Sequence, residues 1–206
     1  LATQRRHRAS GMSSFCIFQE PWWLDAVAPG RWKSLEVLRG SELVARMPID
    51  IQRKFGLTLI RQPPLTPMLG PWIRVGGSSA ARRLSEERRY YDDLIDQLPR
   101  WDYFEASFNH RLTNWLPFYW RNFKQTTRYT YILDDVSDLE LLWRRVEGAV
   151  RTDIRKAQKQ VSIRTDLPLD TLLDLVELTF RRQGRALPFP RELVRRIDKA
   201  CLARDA

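Results

Sequence analysis

Apolar positions along the chain switch between a helical and a strand period, and each switch marks an element. Phe18, Trp22, Trp23, Ala26 and Val27 share one side of a 3.6-residue repeat that Pro29 and Gly30 close, which predicts a short helix from Phe18 to Val27. Leu35 to Leu38 and Leu43 to Ile51 alternate with period two around Arg39-Gly40-Ser41, which predicts an antiparallel hairpin. Leu57 to Ile60 adds a third strand. Four prolines between Arg61 and Trp72 then deny both helix and central strand, so this stretch reads as a shaped loop. Ser79 to Leu98 returns to a helical pattern that Pro99 stops, Trp101 to Phe108 alternates as a strand, and residues 115 to 120 form an aromatic knot. Thr127 to Leu133, rich in β-branched and aromatic residues, reads as another strand.

The texture changes at Asp138. Ser137-Asp138 can cap a helix whose face carries Leu142, Val146, Val150, Ile154 and Ala157, and one helix is predicted as far as Lys159. Val161 to Thr165 reads as a short strand, Leu169 to Arg182 as a helix, and Pro190 to Leu202 as another with proline at its start. A lone strand with two amphipathic helices cannot cover its own apolar faces. Either this second group leans on the first, or residues are expected beyond Ala206.

Composition narrows the class. With 43% hydrophobic, 11% aromatic and 29% charged residues, the chain can bury a core and is unlike disordered or low-complexity sequences. Cys16 and Cys201 match no metal or redox spacing. No apolar run reaches the roughly 20 residues of a membrane helix, and the basic start LATQRRHRAS lacks the apolar segment of a secretory signal. A cytoplasmic location is expected, and residues 1–14, which include Met12, read as a disordered or non-native leader.

The formal charge of +10 is concentrated. Arg144 to Arg164 and Arg181 to Lys199 each carry seven basic residues against two acidic ones, while the remaining basic and acidic residues balance. Within the first segment Arg151, Arg155 and Lys159 fall at i, i+4 and i+8, with Arg144 two turns earlier. Such a stripe can grip a diphosphate or a nucleic-acid backbone, or it can be a solvated helix face. The aromatic knot and its neighbours His110, Arg111, Asn114, Arg128 and Tyr129 suit either a ligand pocket or a core. His110 is the candidate general base, against the alternative of a hydrogen-bonded structural histidine. Gly76-Gly77-Ser78-Ser79 ahead of a helix could offer backbone N–H groups to a phosphate or serve as linker. No nucleophile elbow, P-loop, zinc-protease or dinucleotide motif is present, and no metal site is expected.

FQEPWWLDAV, PPLTPMLGPW, WLPFYWRNFKQTTRYTYIL and RTDIRKAQK resemble the Fem-type and FemAB-like aminoacyl- and acyltransferases, over about 15–190 of the chain. The resemblance implies an α+β fold with a GNAT-like, mostly antiparallel sheet flanked by helices. It implies a first GNAT-like unit at 15–134, then at 135–206 a linking basic helix and the helical start of an incomplete second unit. It further implies transfer of an acyl or aminoacyl group to an amine or hydroxyl acceptor, which would be an anionic nucleotide- or lipid-linked envelope precursor, at the inner membrane face where it is lipid-linked. Substrate contacts would come from Gly70, Pro71, Arg128, Tyr129, Arg151, Arg155, Lys156 and Lys159. The donor would be acyl-CoA or aminoacyl-tRNA, its site beyond Ala206, with no resident cofactor and tRNA as a partner. Two alternatives stand beside this reading: a polyanion- or RNA-binding module, and an inactive fragment of the transferase.

Overall fold

The computed structural model describes residues 14–74, 76, 79–133 and 135–204. They divide into two compact units, one running to Lys124 and resuming at Leu187, the other spanning Gln125–Ala186. The first is an α+β unit with a mixed, five-stranded sheet flanked by helices.

A single 3-10 turn at Ile17–Gln19 leads into α1 (Pro21–Val27), where proline takes a first-turn position whose N–H would go unused. The hairpin follows as predicted: β1 (Trp32–Arg39) pairs antiparallel with β2 (Glu42–Lys54), and β2 with β3 (Leu57–Arg61). β4 (Trp72–Ile73) also pairs with β2. α2 (Ala80–Asp96) is capped by Ser79, whose hydroxyl accepts from the Arg82 N–H at 3.3 Å. That cap gives Ser79 an occupation. Gly77 and Ser78 of the proposed phosphate turn lie outside the described residues. After α2 the chain returns as β5 (Tyr103–Phe104), parallel to β3, and α3 (Leu116–Trp120) forms within the aromatic knot.

Residues of the hairpin and of β3 build the larger core. Leu35, Val37, Ala45, Met47, Ile49 and Ile60 pack with Tyr90, Tyr91, Leu94 and Ile95 of α2 and with Phe118. Each such side chain stabilises by about 1.5–3 kcal/mol when fully buried. Gln97 blunts edge strand β1, because its amide accepts from the Glu36 N–H at 3.2 Å and donates to the Glu36 carbonyl at 3.1 Å.

Tyr91 is fully buried, its hydroxyl has no hydrogen-bond partner among the described residues, and burial, with Glu87 adding, pushes its pKa upward. Below the ordinary tyrosine pKa of about 10 both states hold this proton; above it the unfolded chain releases what the folded chain keeps, so stability falls. Tyr91→Phe is therefore expected to be neutral or to stabilise by about 1 kcal/mol at neutral pH, and to flatten the alkaline loss, in urea titrations on either side of that pKa.

A second core cluster joins α1 to residues 189–201 within this unit. Trp23, Leu24, Val27, Ala28 and Leu69 enclose Leu193, with Phe189, Ile197 and Cys201 packed against them. α7 (Arg191–Leu202) thus packs on α1, and its Arg196 Nε donates to the Ala26 carbonyl at 2.9 Å. The order of elements and the family resemblance grouped these residues with the second unit; their apolar stripe packs on α1 and puts them with the first.

The second unit holds α4 (Leu139–Arg145), α5 (Gly148–Gln158) and α6 (Leu169–Arg182). Here three sequence expectations are corrected. The helix predicted from Asp138 to Lys159 breaks at Val146 and Glu147, both extended at ψ 136° and 143°. Arg151 Nη1 lies 3.2 Å from the Arg144 carbonyl and 3.5 Å from that of Trp143, satisfying acceptors the break leaves open. The strands predicted at 127–133 and 161–165 do not form, since the described residues of this unit hold no sheet to pair them; Tyr129 and Tyr131 are 93% and 102% exposed. In the first unit the strand predicted over 101–108 shrinks to β5 plus one bridge from Phe108 to Leu69, because Pro63 and Pro64 follow β3 and offer no donors. No helix among the described residues is long and apolar enough to cross a membrane.

Candidate functional site

The other face of the sheet carries Glu36, Arg46, Asp50 and Arg61. Register places Glu36 opposite Arg46, Trp32 opposite Asp50, Arg61 opposite Asp50 and Tyr103 opposite Leu59, so one strip of charged and hydrogen-bonding side chains crosses four strands. At one end Arg46 is only 5% exposed; its Nε donates to Ser34 Oγ at 3.0 Å, and that hydroxyl donates to Glu36 Oε1 at 2.7 Å. Burial lowers the Arg46 pKa while Glu20 and Glu36 pull it back up, and a guanidinium stays charged throughout. At the centre Asp50 is fully buried, and its Oδ2 accepts from Gln52 Nε2 at 2.9 Å and Arg31 Nη2 at 3.3 Å. Without such partners a buried carboxylate would cost several kcal/mol.

The strip reaches solvent at the carboxyl ends of the parallel pair β3 and β5. Tyr103 donates its hydroxyl to Glu105 Oε2 at 3.2 Å, and Arg61 Nη2 stands 3.6 Å from the same oxygen. The Arg61 guanidinium also lies 5.7 Å from the Tyr103 ring centroid. Backbone bonds fix the spot: the Glu105 N–H donates to the Ile60 carbonyl at 2.9 Å, and the Ser107 N–H to Gln62 Oε1 at 3.0 Å. Open sheets bind ligands outside the carboxyl ends of parallel strands. A carboxylate held by a phenol and a guanidinium there can accept a proton or an ammonium, beside a cation suited to an anion.

No protein-family model, curated protein or solved structure matches the chain. What the site can do rests on its geometry.

The residues singled out from sequence fall in both units. Gly70 and Pro71 lie in the first, in the proline-rich loop. Gly70 has φ +72°, its carbonyl accepts from Gln19 Nε2 at 2.9 Å, and Pro71 is fully buried. The loop is tied down further by Trp23 Nε1 donating to Thr66 Oγ1 at 3.0 Å and Gln62 Nε2 donating to the Thr66 carbonyl at 2.7 Å. His110 is exposed and has no hydrogen-bond partner among the described residues; its neighbour Asn109 is buried and orders the turn by accepting from the Arg111 N–H at 3.0 Å.

Arg128, Tyr129, Arg151, Arg155, Lys156 and Lys159 lie in the second unit. Arg128 and Tyr129 are exposed. Arg151 and Arg155 converge on the end of α4, the first on its carbonyls and the second 5.6 Å from the Trp143 ring centroid. Lys156 pairs with Asp153 at 3.8 Å, and Lys159 ends α5 in solvent. The two central arginines of the basic stripe thus shape the α4–α5 elbow.

Sequence reasoning missed Arg46, Asp50, Arg61, Tyr103 and Glu105. Their signal was present: when odd positions 43 to 51 are apolar, the polar even positions 46, 50 and 52 must share the other face.

Proposed function

We propose that this chain is part of a transferase, with a GNAT-like first unit, that moves an acyl or aminoacyl group onto an amine or hydroxyl acceptor. One observation carries the reading: in a sheet whose other strand pairs among the described residues are antiparallel, the carboxyl ends of the parallel pair β3 and β5 present Glu105 bound by Tyr103 and Arg61. Glu105 takes the proton of the acceptor's ammonium. The neutral amine then attacks the carbonyl carbon of a thioester or aminoacyl ester; the new C–N bond forms, the C–S or C–O bond breaks, and the thiol or alcohol leaves with a proton. Arg61 and Tyr103 hold the carboxylate in place while the acceptor is positioned. The substrate contacts expected of Gly70, Pro71, Arg128, Tyr129, Arg151, Arg155, Lys156 and Lys159 belong to the same proposal, as does an envelope precursor as acceptor.

Calorimetric titration with a nucleotide-linked muropeptide tests the acceptor half. Saturable binding is expected, weakened roughly tenfold or more by Glu105→Gln, the scale of losing a charge-assisted contact. Equal binding by wild type and variant, or none by either, would sink the reading.

A second reading, polyanion binding, is favoured by the exposed cations Arg145 and Lys159 and the exposed Tyr129 and Tyr131 of the second unit. Salt-dependent retention of a generic RNA oligonucleotide, lost in Arg145→Gln with Lys159→Gln, would transfer the conclusion to it. Those two positions are the right probes, because removing Arg151 also uncaps α4.

A further inference from the structure

The hairpin of β2 and β3 runs past the rest of the sheet. β1 begins its pairing at Trp32, opposite Asp50, and the Arg31 carbonyl accepts one further bond, from the Ile51 N–H at 3.0 Å. Beyond that point Gln52, Arg53 and Lys54 pair with β3 alone among the described residues, so on the β1 side the tip stands clear by about 10 Å of strand. On the other flank β5 runs parallel to β3, with Tyr103 beside Leu59, and brings Arg100 and Trp101 to the same end of the sheet. Every residue from Arg53 to Leu57 is exposed.

Three features of this tip point to an occupant. The first is Phe55, which is 89% exposed at φ +53°, with Gly56 after it at φ +78°. Two successive positive φ values make the tight hairpin turn that favours Asn-Gly, and an aromatic residue in the first of those places costs both backbone strain and exposed apolar area. At that exposure the ring gains almost no packing within the fold, and Lys54 Nζ lies 5.3 Å from its centroid. The second feature is the setting of the cations. Arg53 and Lys54 are neighbours on an extended strand, so they project to opposite faces of the sheet and flank the ring on both sides. Arg53 and Arg100 form no ion pair among the described residues. The third is the charge balance: the acid placed beside the tip, Asp102, has its Oδ2 engaged by the Thr58 N–H at 2.7 Å, and Arg53, Lys54 and Arg100 stand against it.

A convex tip that is apolar at its point and cationic around it matches a surface that is negative outside and apolar beneath, and it needs no pocket of fixed shape. We propose that the β2–β3 tip docks the first unit on an anionic lipid bilayer. Phe55 enters the boundary between headgroups and acyl chains, and Arg53, Lys54 and Arg100 lie against the headgroup phosphates. Docking removes from water the ring that the turn holds out. Glu105 stands at the other end of β3 and β5, so this inference does not rest on acyl transfer.

Cosedimentation of the full chain with lipid vesicles is the test, using phosphatidylcholine mixed with phosphatidylglycerol and phosphatidylcholine alone. Binding to the mixed vesicles is expected, falling as salt is raised, with little binding to the neutral ones. A chain of net charge +10 is drawn to any anionic surface, so the deciding variant keeps the charge: Phe55→Asn is expected to bind roughly tenfold more weakly. That variant places the favoured Asn-Gly pair in the turn, and its urea midpoint should equal or exceed that of the wild type, which separates lost docking from lost folding. Arg53→Gln with Lys54→Gln should weaken binding about fivefold per charge. Removing the same charge from the second unit, in Arg145→Gln with Lys159→Gln, should weaken it less. No binding to the mixed vesicles, equal binding to the neutral ones, or equal loss from the two charge pairs would each overturn the proposal. So would a Phe55→Asn variant that binds as the wild type does, since that leaves only the general attraction of a basic chain.

Discussion

Truncating Leu193 to alanine is expected to destabilise the first unit by about 3 kcal/mol, within the range of about 2–5 kcal/mol for buried leucines. Leu193 is 2% exposed among Trp23, Leu24, Val27, Ala28 and Leu69, a nearly dry cluster in which a deleted side chain leaves a cavity that rigid indole rings cannot refill. The loss should appear as a lower urea midpoint with an unchanged slope, and as faster exchange of the Leu24 and Ala28 amides, which α1 holds through bonds of 3.1 and 2.8 Å. Arg196→Ala should cost about 1 kcal/mol by freeing the Ala26 carbonyl, and it should couple with Leu193→Ala because both act on the α1–α7 contact. Unchanged exchange in α1 would place α7 elsewhere.

That contact also explains where the sequence misled. The order of elements after Asp138, strand, helix, helix, groups α7 with the second unit, yet order along the chain does not say what a helix packs on. The side that decides packing is Leu193, Ile197 and Cys201, three positions at helical spacing whose partner lies about 170 residues away in the chain, and periodicity names no partner. The hairpin, β3, α2 and α6 were legible because each is specified by neighbours in sequence: turn residues, a cap, a proline stop. Tyr129 and Tyr131 failed for the opposite reason. Their segment has strand propensity, but a strand exists only where another strand offers its backbone, and the described residues of the second unit offer none. The site was half legible. Alternation in β2 fixes which residues share the polar face; that Tyr103 and Glu105 join them follows from the parallel pairing of β5 with β3, a contact across the whole of α2.

Gly70→Ala, at the one glycine of the proline-rich loop, is expected to destabilise the first unit by about 3 kcal/mol. Two costs combine. At φ +72° a side chain sits in the left-handed region, worth roughly 1–2 kcal/mol. The added Cβ would also stand 2.5 Å from Phe108 Cδ1 and 3.0 Å from its Cγ. That ring has little room to retreat, since it packs edge-on against Phe118 at 5.1 Å between centroids, and its backbone bridges Leu69. Overpacking of this kind typically costs about 1–3 kcal/mol. Gly40, at φ +63° with nothing within 4 Å of its would-be Cβ, is the internal control, and Gly40→Ala should show the backbone cost alone. Phe108→Leu in the Gly70→Ala background separates the two costs: the double variant should be less destabilised than the sum of the singles by about 1 kcal/mol or more. Strict additivity in urea titrations would mean the ring yields freely. Gly70 would then be left with its backbone role alone, which is to aim its carbonyl at Gln19 and keep the loop seated beside the parallel strands that carry Glu105.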